Sequence, residues 1–408
     1  MEYMTVAEAA SKWSVSPRQV QRFLADSRIE GAKKHGRSWM IPQDARKPSD
    51  LRKAQGTSQA DKTEKITAET QDSALEDFKR LIAASTAFIL PEDPDTFISS
   101  LDDELLRLQY EAEFSYLRGD FEHSVRCYRA LSVDETHKLR ASSLAIASAI
   151  SLGDYELYEE IESFLTRIIE INVCPEITTF AEQALSTACV SVFAPRMVPD
   201  WLRDGDFSAV IHEAKPDAFE KRAKYFQGIQ HYESMLTVAQ SALSFYDGGR
   251  GHVVPLIYLK TVCILAYYLL DRVDDARKHL SEFIDFCLPH GIITPLAESA
   301  ILLGPLLEQC LEKQYPEYIK LIQAQWSLFI KNWIVFHNRF TQDNLTQILT
   351  LREYQIAFQV SSKVPYTRIA ETHSISVGRL KNIVHEIYRK LFVSSRTELS
   401  QFIDWKDH

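Results

Sequence analysis

The spacing of apolar residues predicts a mainly α-helical chain. Between residues 74 and 340 the apolar positions recur every three or four residues, as they do in a series of amphipathic helices. The same period returns in two runs within 383–403, separated by the break FVSS. Residues 48–73 hold almost no large apolar side chains and are rich in polar ones, which is typical of a flexible linker. The predicted domains are therefore 1–47, 74–340 and 343–408.

Two stretches of the middle domain resemble each other. They are FSYLRGDFEHSVRCY, residues 114–128, and SAISLGDYELYEEI, residues 148–161. Their Gly-Asp-aromatic triplets begin at Gly119 and Gly153, 34 residues apart. This is the period of tetratricopeptide (TPR) repeats, in which a tight turn joins two antiparallel helices. Two degenerate units at 225–243 and 259–287 extend the pattern, so we expect an irregular TPR-like α-solenoid for sensing and dimerisation.

The N-terminal domain begins with two short helices and a hairpin. Thr5 followed by Glu8 predicts a capping box, and Pro17 is suited to the first position of a second helix, about 17–25. The basic stretch in 29–42 then predicts a β-hairpin. The apolar positions expected in the core are Val6, Ala9, Ala10, Trp13, Val20, Phe23, Leu24, Trp39 and Ile41.

This segment resembles the excisionase/MerR-like winged helix-turn-helix family through VAEAASKWSVSPRQVQRFL and the return strand GRSWMIP. The resemblance covers about 45 residues. It implies that Arg18, Gln19 and Arg22 approach base edges or phosphates. It also implies that the wing residues Lys33, Lys34 and Arg37 grip the DNA backbone. A winged fold used only for protein contacts is the alternative.

The C-terminal segment LTLREYQIAFQVSSKVPYTRIAETHSISVGRLKNIVHEIYRKLFVSSRTELSQFI, residues 349–403, resembles the four-helix LuxR-type DNA-binding domain. The matching residues are Leu349-Thr350, Arg352-Glu353, Ile369-Ala370, Ile375-Ser376, the run IYRKL at 387–391 and the run SRTEL at 395–399.

Three features depart from that family pattern. Lys363 stands where a glycine is usual, which predicts that the first helix ends without a left-handed cap. The run Pro365-Tyr366-Thr367-Arg368 replaces a more polar one that usually contacts phosphates. Ile383 stands where a histidine is frequent, and packs either in the core or against a thymine methyl group.

The helix that follows Ser376 has the two faces of a recognition helix. Apolar residues at 380, 384, 387 and 391 share one face. In a major groove the opposite face would present Lys381 and Asn382 to purine edges or phosphates, and Arg389 to a phosphate further along. The residues predicted to contact DNA here are Arg379, Lys381, Asn382, His385 and Arg389.

Charge is distributed unevenly along the chain. Residues 1–56 hold 11 Lys and Arg against 6 Asp and Glu, and residues 343–403 hold 8 against 5. Since the total net charge is −10, the segment 57–342 is strongly acidic. Basic ends on an acidic protein indicate anionic partners at those ends.

The sequence carries no motif of catalysis, metal binding or cofactor binding. The six cysteines form no CxxC pair, and the twelve histidines show no HExxH pattern. Neither GxxxxGK[ST] nor GxGxxG occurs. We therefore expect no catalytic residue, no metal and no cofactor. An enzyme would need a pocket with converging polar groups in the middle domain, and no motif indicates one.

The N-terminus and the longest apolar run predict a cytoplasmic protein without a membrane segment. MEYMTVAEAASKW lacks the basic-then-apolar order of a signal peptide. The run at 256–270 is too short to cross a bilayer and contains Lys260.

Together these features predict a bacterial transcription regulator that is not an enzyme. Its expected partners are double-stranded DNA, an effector at the TPR-like region (small molecule, peptide or protein) and a second copy of the chain in a homodimer. RNA polymerase is a further candidate partner. The alternative is a TPR-type interaction adaptor without functional DNA binding.

Overall fold

The computed structural model describes residues 3–13, 15, 20, 23–24, 29, 31–35, 38–43, 45, 68–86, 93–246, 251–341, 349–391 and 393–403. The chain forms two compact units, residues 1–67 and 68–408. The described residues are mainly helical, as predicted.

The first unit combines a small antiparallel sheet with a short helix. Its elements are β1 (Tyr3–Met4), α1 (Val6–Trp13), β2 (Lys33–His35) and β3 (Ser38–Pro42). The strand order is β1-β3-β2, with Met4 opposite Ile41 and Lys34 opposite Trp39. The predicted hairpin is thus confirmed in its two strands. Strand β1 was not predicted, because two residues are too few to show an alternating pattern.

The capping box at the start of α1 is confirmed. Thr5 N–H donates to Glu8 Oε2 at 2.7 Å, and Glu8 N–H donates to Thr5 Oγ1 at 3.3 Å. Most predicted core positions are buried, whereas Val6 and Trp39 are half-buried. Most of the predicted second helix and the tip of the hairpin lie outside the described residues.

The second unit begins with a long series of helices. They are α2 (Ala68–Ser85), α3 (Pro94–Ser99), α4 (Glu104–Leu117), α5 (Phe121–Ala130), α6 (Glu135–Leu152), α7 (Tyr155–Ile171), α8 (Pro175–Ser191), α9 (Asp200–Asp204), α10 (Lys215–Gly228), α11 (Tyr232–Tyr246), α12 (Val253–Leu269), α13 (Val273–Cys287), α14 (Thr294–Gln314) and α15 (Ile319–Thr341). We refer to these helices as the helical body.

The start of α2 differs from the predicted end of the linker. The linker was expected to reach residue 73, but the helix begins at Ala68. The stretch AETQDS looks like a linker because it lacks large apolar residues. Its Ala, Glu and Gln residues nevertheless favour a helix, and the buried Phe78 and Ile82 later in α2 anchor that helix to the core.

The two Gly-Asp-aromatic triplets lie at turns between consecutive helices. Gly119 ends α4 and Gly153 ends α6, with left-handed φ values of 86° and 70° that glycine adopts without steric cost. The following aspartates are N-caps, because Asp120 Oδ1 accepts from His123 N–H at 2.9 Å and Asp154 Oδ1 accepts from Leu157 N–H at 3.0 Å. Each triplet therefore ends one helix and starts the next.

Four helices complete the second unit: α16 (Leu351–Ser361), α17 (Tyr366–Thr372), α18 (Val377–Leu391) and α19 (Arg396–Ile403). Thr350 and Glu353 form a capping box at the start of α16. We refer to this group as the C-terminal helices. They share one hydrophobic core with the helical body.

The end of α16 corrects one expectation. Lys363 itself adopts a left-handed φ of 59°. Its N–H donates to Val360 O, and Val364 N–H donates to Gln359 O, each at 3.0 Å. These bonds form a Schellman motif, so the prediction of an end without a left-handed cap is wrong. The tertiary bond from the Tyr232 hydroxyl to Ser362 O, 2.9 Å long, fixes the chain beside this turn.

Candidate nucleic-acid interface and central cavity

Helix α18 presents a polar, cationic face to solvent. Leu380, Val384, Ile387 and Leu391 are buried on its inner side, as the pattern predicted. Gly378 and Glu386 are exposed, and so are the five residues named above as DNA contacts: Arg379, Lys381, Asn382, His385 and Arg389. The structure thus brings these five side chains together on one helix. Their contact with DNA stays a prediction.

Contacts to neighbouring helices fix the orientation of α18. Ser376 Oγ accepts from Arg379 N–H at 3.2 Å and caps the start of the helix. Near its end, Lys390 Nζ lies 2.8 Å from both carboxylate oxygens of Glu353 on α16. Ile383 is half-buried and packs against the core, which agrees with the packing alternative. The apolar side of α18 therefore stays fixed while the cationic side stays accessible.

One cation on the exposed face has a partner. Arg389 forms an ion pair with Glu386 one turn earlier, with a shortest N–O distance of 2.8 Å. Both side chains are well exposed, so the pair is worth at most about 1 kcal/mol and a phosphate can replace Glu386 cheaply.

The predicted contacts of the first unit are only partly described. Lys33 lies on β2 with an exposed side chain, and Lys34 follows it on the same strand. Arg18, Gln19, Arg22 and Arg37 lie outside the described residues.

Arg368 on α17 contacts the helical body and is not free to meet DNA. Its Nη1 donates to Tyr268 O at 2.7 Å, and its Nη2 forms an ion pair with Asp271. Its guanidinium also lies 4.5 Å from the centre of the Tyr268 ring. Arg368 therefore attaches α17 to the helical body.

A proline in α14 provides a second attachment point. Pro305 lies inside this helix and has no N–H for the carbonyl of Ile301, four residues earlier. Gln359 Nε2 on α16 donates to that carbonyl instead. The C-terminal helices thus satisfy a backbone acceptor that the body leaves open.

The helical body contains a cavity of about 220 Å³ that is partly open to solvent, called the central cavity below. Helices α2, α4, α6, α8, α10, α12, α14 and α15 all contribute to its wall. Aromatic side chains form much of the apolar lining, including Phe180, Tyr258, Trp326, Phe329 and Trp333. The cavity exceeds the roughly 150 Å³ that suffices for benzene, so it can hold a small organic molecule.

Three ion pairs lie in the cavity wall. Arg140 Nη2 donates to Glu113 Oε1 at 2.6 Å, and Lys221 Nζ donates to both oxygens of Asp217 at 2.6 Å. The third pair joins Lys224 to Glu220 at 2.7 Å. Burial disfavours the charged amine of Lys224, but Glu220 and Glu298 outweigh it and raise its pKa.

Glu298 has no cationic partner of its own among the described residues. Its Oε1 accepts from the Tyr116 hydroxyl at 2.6 Å, and its Oε2 accepts from the Tyr258 hydroxyl at 2.9 Å. Burial raises the pKa of Glu298 above its ordinary range, and Lys224 opposes the rise. Among the described residues, five carboxylates and three Lys or Arg side chains line the cavity. Burial and the nearby Arg140 lower the pKa of His252, which therefore adds no compensating charge at pH 7.

A separate cluster offers metal-ligand atoms. One donor atom each of Glu111, His123 and Cys127 lies within 4.8 Å of the others. Burial raises the pKa of the Cys127 thiol to about 11. Its Sγ donates a hydrogen bond to Glu111 Oε2 at 3.9 Å.

Within the described part of the chain, no helix has both the length and the apolar character needed to cross a lipid bilayer. Searches of family models, curated proteins and solved structures found no match to this chain.

The sequence did not reveal the cavity or its charged wall. The charged residues of the cavity wall lie on helices that are far apart in the chain, from Glu113 to Glu298. One signal was available in α10, where Asp217–Lys221 and Glu220–Lys224 are overlapping pairs at spacing four. Such pairs usually mark an exposed helix, but Lys221 is only 2% exposed.

Proposed function

We propose that this chain is a transcription regulator that binds duplex DNA through α18, with the first unit as a second DNA reader. The observation that carries the proposal is the exposed cationic face of α18, opposite a fully buried apolar face. This arrangement suits a helix that enters the major groove, where side chains reach base edges and phosphates. The resemblance to LuxR-type and winged helix-turn-helix families supports the same assignment.

The central cavity is the proposed effector site. Helix α14 lines it with Glu298, Ser299 and Leu302, and carries the Ile301 carbonyl that Gln359 contacts. Trp333 also lines the cavity, and its ring centre lies 6.0 Å from that of Tyr354 on α16. A ligand that shifts α14 or Trp333 would therefore act directly on the C-terminal helices. This is a two-state mechanism of effector control.

A homodimer would place two α18 helices on one DNA site. Leu321, Leu328 and Val335 follow each other at seven-residue intervals on α15, and each is about half exposed. An apolar stripe with this period is typical of helix pairing. We propose it as the dimer contact.

If this apolar stripe is the dimer contact, one charged side chain placed in it should disrupt the dimer. Leu328→Glu should convert a dimer into a monomer in sedimentation velocity experiments, because paired stripes would bury two carboxylates against apolar surface. The control is Ser327→Glu, at the exposed neighbouring position, which should leave the dimer intact. A monomeric wild-type chain, or equal effects of both variants, would contradict the assignment.

DNA binding by the full chain tests the main proposal. Two α18 helices with three cations each give about six phosphate contacts, so affinity should fall roughly 1000-fold between about 50 and 200 mM salt. Fluorescence anisotropy with a labelled random-sequence duplex measures this slope. Absence of binding at low salt would reject the regulator in favour of the interaction adaptor.

A further inference from the structure

We propose that the central cavity binds a small organic cation, a protonated amine carried on an apolar or aromatic frame. The inference gives a ligand class to the effector site and rests on the proposed function for its regulatory meaning. The binding itself follows from the charge, the hydrogen-bonding groups and the lining of the cavity.

The charge of the wall selects a cation. Glu113, Asp217 and Glu220 each have a Lys or Arg partner within 2.7 Å. Glu298 accepts hydrogen bonds only from the two tyrosine hydroxyls, so its carboxyl group has no direct salt-bridge partner among the described residues. Burying an unpaired carboxylate is costly. A ligand ammonium group would supply the missing positive charge.

Gln183 adds an acceptor without a partner. Its Nε2 donates to Ala214 O at 3.1 Å and to Asp217 Oδ2 at 2.6 Å. Since both partners are acceptors, the amide orientation is fixed and Oε1 must point elsewhere. That oxygen is buried without a hydrogen-bond partner among the described residues, on a side chain only 1% exposed that lines the cavity. Such an acceptor requires a donor, and an ammonium group has three.

The rest of the lining fits an apolar frame. Phe180, Trp326 and Phe329 face the same cavity, and aromatic rings attract cations as well as apolar groups. The protein already uses this contact, because Lys224 Nζ lies 4.5 Å from the centre of the Tyr258 ring. The volume admits one small ring with a short amine chain.

Three probes of similar shape and different charge test the assignment on the full wild-type chain. Phenethylamine is cationic, 2-phenylethanol is neutral and phenylacetate is anionic at pH 7. Isothermal titration calorimetry without DNA should show phenethylamine binding at least about 10-fold more tightly than 2-phenylethanol, because charge-assisted hydrogen bonds are the stronger ones. Phenylacetate should bind most weakly.

A matched pair of variants assigns the effect to Glu298. Glu298→Gln keeps an oxygen for the tyrosine hydroxyls and removes the charge, so it should weaken phenethylamine binding about 10-fold or more. It should leave binding of 2-phenylethanol nearly unchanged, which also shows that the cavity is intact. The control, Glu312→Gln, lies on the same helix with an exposed side chain and should change neither.

The outcomes separate this inference from the proposed function. No phenethylamine binding at millimolar concentration, or equal binding of the three probes, would overturn the cation assignment and leave DNA binding untouched. Amine binding by a chain that does not bind DNA would retain the cation site and reject the regulator.

Discussion

Replacing Lys381 and Arg389 together by alanine removes four contacts from the proposed dimer and should lower its affinity for duplex DNA by at least about 1000-fold near 0.1 M salt. Both side chains are exposed on α18. Each phosphate or base contact of this kind contributes about 1–3 kcal/mol. The loss of two contacts per chain should also reduce the slope of log affinity against log salt by about two per chain. Anisotropy titrations at several salt concentrations measure both quantities.

The matched control removes two lysines elsewhere in the second unit. Lys278 on α13 and Lys320 on α15 are exposed, so Lys278→Ala with Lys320→Ala changes the net charge equally. This variant should bind DNA within about twofold of the wild-type chain, because general charge steers association but does not replace local contacts. Equal losses in both variants would mean that binding follows net charge and not the face of α18.

The faces of α18 were predictable because they depend on local periodicity. Apolar residues at 380, 384, 387 and 391 leave only one side of the helix for Lys381 and Arg389. The triplets at Gly119 and Gly153 were equally local, since glycine, aspartate and the next residue suffice to end one helix and cap another.

Features that depend on distant partners were not predictable in this way. Lys363 adopts the left-handed backbone conformation expected of glycine. Its neighbour Ser362 accepts a hydrogen bond from Tyr232, which lies 130 residues earlier in the chain. In the sequence alone Arg368 looks like an exposed cation, because nothing there indicates that Tyr268 and Asp271 are its partners. Tertiary contacts decide both cases.

The cavity is the clearest example of a feature that local sequence patterns do not predict. Asp217 and Lys221 have the spacing of a solvated helix pair, and the aromatic residues of α15 have the spacing of a core. Nothing in a single sequence indicates that these two patterns line the same cavity. The wall combines Glu113, Asp217 and Glu298 from three helices, and only the packing of those helices brings the carboxylates together.

Breaking the ion pair between Glu113 and Arg140 should have the largest effect on stability. The side chains are only 10% and 16% exposed, and Arg140 Nε also donates to Ser85 Oγ at 2.8 Å. The pair therefore joins α2, α4 and α6 at the cavity wall. Glu113→Ala leaves a buried guanidinium without its counterion and should lower the free energy of unfolding by about 3–5 kcal/mol. Denaturant unfolding followed by circular dichroism measures the loss.

The control is an exposed pair of similar length. Arg80 lies 3.1 Å from Asp77 on α2, and both side chains are more than half exposed. Asp77→Ala should therefore cost less than about 1 kcal/mol. If Glu113→Ala also lowered the free energy of unfolding by less than about 1 kcal/mol, the cavity wall would have to admit enough water to solvate Arg140.

A double variant separates the desolvation cost from the attraction of the pair. Burial and, to a smaller extent, Asp217 raise the pKa of Glu113 even though Arg140 acts in the opposite direction. Glu113→Leu with Arg140→Met removes both charges and keeps apolar volume. Its stability should return to within about 2 kcal/mol of the wild-type value, and Ser85 Oγ keeps its bond to Ile82 O. If the double variant were as unstable as Glu113→Ala, the charged pair itself would be what holds the three helices together.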